Sequence, residues 1–149
     1  MKIKHFVAIA LAGLLVILDE VLKKVALVNF PKETEISGKK IIEFAVHQNT
    51  GIAFDLPFWP PLIFILIVLI IAGLIGLAYK NRFNKPWLST AAIIIILGAL
   101  GNLIDRISYG FIVDYIIFPL SGSAFNLSDV TIIIGILIVL FSTRKKVIK

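Results

Sequence analysis

The stretch GALGNLIDRISYGFIVDYIIFPLSGSAFNLSD, residues 98–129, runs from the end of one apolar segment to the start of the next. Within it lie six charged or amide side chains: Asn102, Asp105, Arg106, Asp114, Asn126 and Asp129. Placing one Asp or Arg at the centre of a membrane-spanning helix costs roughly 2.5–3.5 kcal/mol on insertion scales. In a chain this apolar, such a cluster is therefore a functional candidate by default.

The whole chain has the composition of a membrane protein. Of its 149 residues 59% are hydrophobic and the mean hydropathy is +1.02, whereas soluble domains average about 45–50% apolar residues. The length suits one compact bundle, so residues 1–149 are predicted to form a single integral-membrane domain. The lack of cysteine excludes thiol catalysis, disulfides and cysteine-ligated metal sites.

Apolar runs predict four transmembrane helices, at about residues 6–28, 62–79, 87–106 and 128–143. The second and third each contain an uncharged run of 18 residues, which is long enough to span a membrane. The first follows the basic residues MKIKH as in a signal peptide, but no small-x-small cleavage motif comes after it, so we expect it to be retained. Small residues in the third helix, Gly98, Ala99 and Gly101, would let another helix approach closely.

The basic residues predict the orientation of these helices. Four spans place both termini on one side, and that side carries nine of the 15 basic residues and none of the nine acidic ones. This is the positive-inside pattern, so the net charge of +6 reflects topology rather than nucleic-acid binding. We expect cytoplasmic termini and carboxylates at or beyond the outer half of the membrane.

Two segments are predicted on the outer side. Residues 29–58 are expected to be a β segment with a hairpin from Thr34 to His47 and Gly38 at its turn. Residues 107–126 are an apolar connection broken by Gly, Pro and aromatic residues, part of which is predicted to be a short helix lying on the membrane.

Polar residues on the first and third helices each have two interpretations. Asp19 and Lys23 are spaced i, i+4, so they either neutralise each other or form a charged floor beside a site. Asn102 and Asp105 share one helical face and Arg106 can reach Asn102. This second group is either a snorkelling helix end or a polar network braced against the first helix, with Arg106 donors available to a substrate carbonyl or lipid ester.

The loop NTGIAF at residues 49–54 also has two interpretations. Gly51 favours a tight turn after a strand. The amide of Asn49 could instead hydrogen-bond an extended peptide.

Asp114 and Asp129 have no adjacent cation in sequence and both lie beside apolar runs. If they are close in space, they cannot both ionise cheaply and one keeps a proton. The charged member can then activate a water while the protonated member polarises a peptide carbonyl, which is the chemistry of aspartyl proteolysis. The alternative is two unrelated helix caps, since Asp129 follows Ser128 where an N-cap belongs.

Other catalytic schemes have less support. The only histidines are His5 and His47, and the chain contains no G-x-S-x-G or H-E-x-x-H motif. No metal or organic cofactor is implied. Two further functions remain open: a small ion- or proton-coupled transporter that uses the helix charges as a relay, and a non-catalytic scaffold.

Five motifs together resemble the bacterial lipoprotein signal peptidases (signal peptidase II). The family patterns D-Q-x-x-K, N-x-G-x-A-F, G-x-x-G-N-x-x-D-R, V-V-D-F and F-N-x-A-D are matched in order by DEVLK at 19–23, NTGIAF at 49–54, GALGNLIDR at 98–106, IVDY at 112–115 and FNLSD at 125–129. The resemblance covers nearly the whole chain.

The resemblance implies an aspartic endopeptidase of the bacterial inner membrane, acting near the outer leaflet. Its substrates would be prolipoproteins whose cysteine carries a diacylglyceryl group, cut just before that cysteine. It implies that Asp114 and Asp129 are catalytic. The residues that would position substrate and dyad are Asn49, Gly51, Asn102, Arg106 and Asn126, and those that would brace the site are Asp19, Lys23 and Asp105. The outer hairpin would cradle the substrate and residues 107–126 would close as a lid. Membrane lipids are expected partners, and the protein is expected to be a monomer.

Three residues depart from the family pattern. Glu20 replaces Gln, Tyr115 replaces Phe and Ser128 replaces Ala. Ser128 is expected to hydrogen-bond Asp129 and to alter its pKa.

Overall fold

The computed structural model describes residues 2–35, 40–51 and 59–144. Its helices are α1 (Ile3–Asn29), α2 (Pro60–Asn81), α3 (Pro86–Tyr109) and α4 (Leu127–Arg144). Its strands are β1 (Glu43–Asn49), β2 (Ile112–Phe118) and β3 (Ser123–Phe125), and Glu33–Glu35 forms a 3-10 turn. The predicted class, mainly helical with a small β element, is confirmed at this level.

Three of the helices, α1, α2 and α3, are long and apolar enough to cross a membrane. Proline begins both α2 and α3, where its missing N–H breaks no helical hydrogen bond. Gly110 ends α3 in the left-handed conformation, with φ 83° and its N–H bonded to the Arg106 carbonyl. The apolar part of α4, Leu127–Ser142, is shorter than the other three.

Helix α3 is the centre of the bundle, since it packs against α1, α2 and α4. Its contact with α4 is close because of Gly98, where an added Cβ would lie 2.6 Å from the Ser128 carbonyl oxygen. The approach predicted from the small residues of this helix is thus confirmed. It brings the start of α4 directly against α3.

This contact predicts that Gly98→Ala lowers stability by roughly 1–3 kcal/mol, because the new methyl group would overlap a backbone oxygen that cannot rotate away. Thermal unfolding in detergent measures the effect. Gly73→Ala in α2 is the matched control, since nothing lies within 4 Å of a Cβ there. Equal stability of the two variants would contradict the tight α3–α4 contact.

The strands form one antiparallel sheet in the order β1-β2-β3. Strand β2 is central and its residues 112–115 are buried. It is rich in β-branched residues, which favour strands, and its apolar side chains on both faces need cover on both sides. A small core of Ala26, Val46, Val113 and Tyr115 holds the sheet against the end of α1.

Two predictions for the outer segments need correction. The first arm of the hairpin was expected to begin at Thr34, but Glu33–Glu35 is a 3-10 turn and β1 pairs with β2 instead; the expected turn at Gly38 lies outside the described residues. The connection between α3 and α4 is a β-hairpin rather than a helix on the membrane. Its strand β2 is paired with β1 and β3, and closure of this connection as a lid stays a prediction.

Candidate active site

Buried charges gather where α1, α3, the start of α4 and the sheet meet. Asp19, Lys23, Asp105 and Asp114 are each at most 1% exposed. Charges buried this deeply are stable only when they are paired and hydrogen-bonded, so their partners define the site.

Lys23 lies between two carboxylates. Its Nζ is 2.9 Å from Asp19 Oδ2 and 2.9 Å from Asp105 Oδ2, and it donates a hydrogen bond of 3.3 Å to Asn102 Oδ1. The ion pair expected from the i, i+4 spacing of Asp19 and Lys23 is therefore present. It is one part of a network that joins α1 to α3.

Asp19 extends this network to the sheet and to α4. It accepts hydrogen bonds from the Tyr115 hydroxyl (2.8 Å), the Leu127 N–H (2.8 Å) and the Ser128 hydroxyl (2.6 Å). Burial and the neighbouring Asp19 carboxylate raise the pKa of Tyr115, which keeps the hydroxyl protonated as a donor. The expectation that Ser128 would bond Asp129 is wrong, because its side chain points toward α1.

Asp105 fixes the position of β2. Its Oδ2 accepts a 3.0 Å hydrogen bond from the Val113 N–H, one residue before Asp114. Asp105 is wholly buried and bound to Lys23 on the same oxygen. The charged network thus determines where the next residue along β2 presents its carboxyl group.

Asn126 joins the two candidate catalytic residues. Its Nδ2 donates to Asp114 Oδ1 at 2.6 Å and to Asn102 Oδ1 at 3.2 Å. Its Oδ1 accepts from the Asp129 N–H at 2.9 Å, and its own N–H donates to Asp129 Oδ2 at 3.2 Å. This reciprocal pair is a capping box at the start of α4, so Asn126, not Asp129, is the N-cap.

Each candidate carboxyl group has a second amide donor. Asn49 Nδ2 donates to Asp114 Oδ2 at 3.1 Å, and Asn102 Nδ2 donates to Asp129 Oδ1 at 2.7 Å. Asn49 therefore orients a carboxyl group, and its hydrogen bond to an extended peptide stays a prediction. Burial, followed by the negative charge of Asp129, raises the pKa of Asp114 to about 7.

Both carboxyl groups face one cavity of about 510 Å³. Its apolar wall comes from the three helices α2, α3 and α4: Ile63, Ile67, Ala99, Ile132 and Ile133. The opposite wall comes from the sheet and its turn, including His47, Asn49 and residues 122–125. The cavity thus places two carboxyl groups between a helical wall suited to hydrocarbon and a wall of strands.

Arg106 also lines the cavity, and its Nη2 donates to the Gly51 carbonyl. The Gly51 N–H donates to Asn49 Oδ1 at 3.1 Å. Arg106 therefore fixes the loop that orients Asn49, which in turn orients Asp114. The rest of the NTGIAF loop, residues 52–54, lies outside the described residues.

All ten residues predicted for the site belong to this assembly. Sequence reasoning missed Tyr115, Ser128 and His47 as its members. Tyr115 and Ser128 were noted only as departures from a pattern, and their partner Asp19 is about a hundred residues away. His47 was predicted only as the end of a hairpin, although its position two residues before Asn49 places it on the same face of β1.

The sequence of this chain is similar to those of known proteins. A family model described as signal peptidase (SPase) II matches residues 11–144. A lipoprotein signal peptidase of Thermodesulfovibrio yellowstonii is 32% identical over 138 residues, covering 89% of this chain and 91% of that protein. One from Mesorhizobium japonicum is 34% identical over 129 residues, covering 83% and 77%.

Two solved structures, described as bacterial membrane enzymes determined by the in meso method, share the fold. One has a TM-score of 0.77 at 25% identity and covers 94% of each chain. The other has a TM-score of 0.78 at 27% identity and covers 96% of this chain and 93% of its own.

Proposed function

The chain belongs to the signal peptidase II family, and we propose that it removes the signal peptide of lipoprotein precursors with Asp114 and Asp129 as its catalytic residues. The observation that carries this assignment is the pairing of the buried carboxyl group of Asp114 with the partly buried one of Asp129, linked by Asn126, on one cavity. The alternative of a transporter is not supported by the comparisons, and its proposed relay charges are engaged with one another.

The two carboxyl groups take different roles in this mechanism. Asp114 holds the shared proton, because burial and the nearby charge of Asp129 raise its pKa to about 7. Asp129 lies in the first turn of α4, where the helix dipole and the Asn126 N–H favour its negative charge. Asp129 is therefore the general base and Asp114 the general acid.

Hydrolysis then proceeds without a covalent intermediate. Asp129 takes a proton from a water molecule while the oxygen of that water attacks the scissile carbonyl carbon. At the same time Asp114 gives its proton to the carbonyl oxygen. The proton on Asp129 next passes to the amide nitrogen as the C–N bond breaks. Asp114 recovers a proton from the collapsing diol, so the pair returns to its starting state.

The remaining residues keep this pair in place. Asn49, Asn102 and Asn126 hold the carboxyl groups with amide donors. Arg106 and Gly51 hold Asn49, and the network of Asp19, Lys23 and Asp105 ties α1 to β2 and α3. A site held this firmly needs little reorganisation during the reaction.

The proposed setting is a four-helix bundle in the bacterial inner membrane, with both termini cytoplasmic. Helix α4 has 18 residues and at about 1.5 Å per residue nearly matches a hydrocarbon core of about 30 Å. The catalytic pair would lie toward the outer leaflet, beside the apolar wall of the cavity. This setting suits precursors that are anchored by a diacylglyceryl group, and the enzyme would act as a monomer among membrane lipids.

The experiment is cleavage of a purified precursor in detergent micelles, followed by mass spectrometry. The protein is expected to release the signal peptide by one cut before a diacylglyceryl-modified cysteine. A precursor with the same sequence and an unmodified cysteine is the matched control. It should be cut much more slowly, because it lacks the lipid that would pack against the apolar wall of the cavity. No cleavage of the modified precursor by folded protein would contradict the proposed function.

A further inference from the structure

His47 stands directly across the sheet from Asp114. The register of the β1–β2 pair places their Cα atoms opposite each other, just after an irregularity between Phe44 and His47. Residues directly opposite in an antiparallel pair have Cβ atoms about 4.5–5.5 Å apart on the same face. Both side chains accordingly line the same cavity.

Glu33 orients the imidazole of His47 through a hydrogen bond. His47 Nδ1 is hydrogen-bonded to Glu33 Oε2. The segment that carries Glu33 is itself docked onto β1, because the Val46 N–H donates to the Pro31 carbonyl at 2.8 Å and Lys32 forms a bridge with Val46. Glu33 therefore contacts His47 from a segment whose backbone is bonded to β1.

The charged groups around His47 come from four elements. Among the described residues, Glu33 contacts it from the 3-10 turn and Asp114 faces it from β2, while Asp129 of α4 and Arg106 of α3 line the same cavity. A positive charge beside a carboxyl group favours its ionised form. A protonated His47 opposes the burial that keeps Asp114 protonated, and it lowers the pKa of Asp114 accordingly.

We propose that His47, oriented by Glu33, is a positioning residue of the peptidase whose positive charge acts on Asp114 across the strand pair and sets the pH range over which Asp114 keeps the shared proton. This inference rests on the proposed role of Asp114. It adds to the residues that act on the catalytic pair a histidine that lies outside the five motifs. The pairing of its strand is not visible in the sequence.

The sign of the effect follows from the order of ionisation. Asp114 is the member of the pair that ionises last, so loss of its proton defines the alkaline limb of kcat/KM, expected near pH 7. Removing a neighbouring positive charge makes ionisation of Asp114 harder. The limb should therefore move upward when His47 is replaced by a neutral residue.

The test is the pH profile of kcat/KM for cleavage of the diacylglyceryl-modified precursor by the full chain in detergent. His47→Gln is expected to raise the alkaline limb by at most about one pH unit, the lower end of the shifts that an opposite charge causes, because His47 acts on the pKa of Asp114 less than burial and Asp129 do. His47→Lys keeps a positive charge and should not raise it. Gln48→Lys is the matched control, because it adds the same charge to the exposed, opposite face of β1 and should leave the limb unchanged.

Three results would overturn the inference. One is a His47→Gln variant whose kcat/KM is lower at every pH while its alkaline limb stays where the wild type has it. A merely structural role of His47 would give that result. The second is an equal upward shift in His47→Gln and His47→Lys, since shape rather than charge would then be responsible. The third is an alkaline limb that moves as much in Gln48→Lys as in either His47 variant. Failure of the proposed function is a separate outcome, in which the wild-type protein does not cleave the precursor at any pH.

Discussion

Asp129→Asn is expected to lower kcat/KM for precursor cleavage by roughly 10³-fold, within the range that general acid–base groups contribute. The substitution keeps the size of the side chain and one oxygen that can accept the hydrogen bond from Asn102 or from the Asn126 N–H. It removes the negative charge that takes a proton from the attacking water. The chemistry is therefore lost while the capping box of α4 can still form.

The control is the same change of carboxylate to amide at Glu43, on β1 away from the cavity lining. Glu43→Gln should cleave at the wild-type rate. Thermal unfolding of both variants in detergent separates loss of chemistry from loss of fold. If Asp129→Asn cleaved as fast as Glu43→Gln, Asp129 would not be the general base.

Lys23→Met is expected to have the largest effect on stability, a loss of about 3–5 kcal/mol, because removing one partner leaves uncompensated buried charges. Lys23 is 1% exposed and is the cation between Asp19 and Asp105, both wholly buried. Methionine fills much of the same volume, so the loss would arise from charge rather than from a cavity.

The neighbouring Lys24 provides a matched control, since its side chain is exposed. Lys24→Met should change stability by less than about 0.5 kcal/mol, as is usual for surface substitutions. Denaturant or thermal unfolding in one detergent compares the two variants directly. Equal stability of Lys23→Met and Lys24→Met would mean that the buried network does not hold α1 to the rest of the bundle.

Local spacing predicted those parts of the structure that depend on neighbouring turns of one helix. The i, i+4 pair of Asp19 and Lys23 is an ion pair, and Gly98, Asn102 and Asp105 are buried together on one face of α3. In both cases the helical period alone fixes which side chains meet. The mainly helical, membrane-type architecture followed from the same periodicity and from hydropathy.

Long-range partners were not visible in the sequence. The strand pairing of β1 with β2 joins residues about 65 positions apart, and Tyr115 reaches Asp19 across 96 positions. Such contacts depend on strand register, and a shift by one residue reverses the face of every side chain. This is why His47 was not placed beside Asp114, and why Ser128 was expected to bond Asp129 rather than Asp19.

The alternative that Asp129 is the N-cap of its helix is wrong for a related reason. Asn126 and Asp129 are both able to cap a helix, and only the point where α4 begins decides between them. Because α4 begins at Leu127, Asn126 occupies the cap and Asp129 lies in the first turn. The result matters for the mechanism, since Asn126 then contacts both catalytic carboxyl groups, Asp114 through its side-chain amide and Asp129 through its backbone N–H.

If Asp114 and Asp129 act as one catalytic pair, neither carboxyl group can be replaced, and the most direct test is cleavage of the diacylglyceryl-modified precursor by Asp114→Asn beside the wild type. The wild type is expected to make one cut before the modified cysteine. Asp114→Asn is expected to show no comparable cleavage at any pH at which the variant stays folded, because the amide cannot supply the shared proton. Cleavage by folded Asp114→Asn at a rate close to that of the wild type would mean that the two residues are not a catalytic pair.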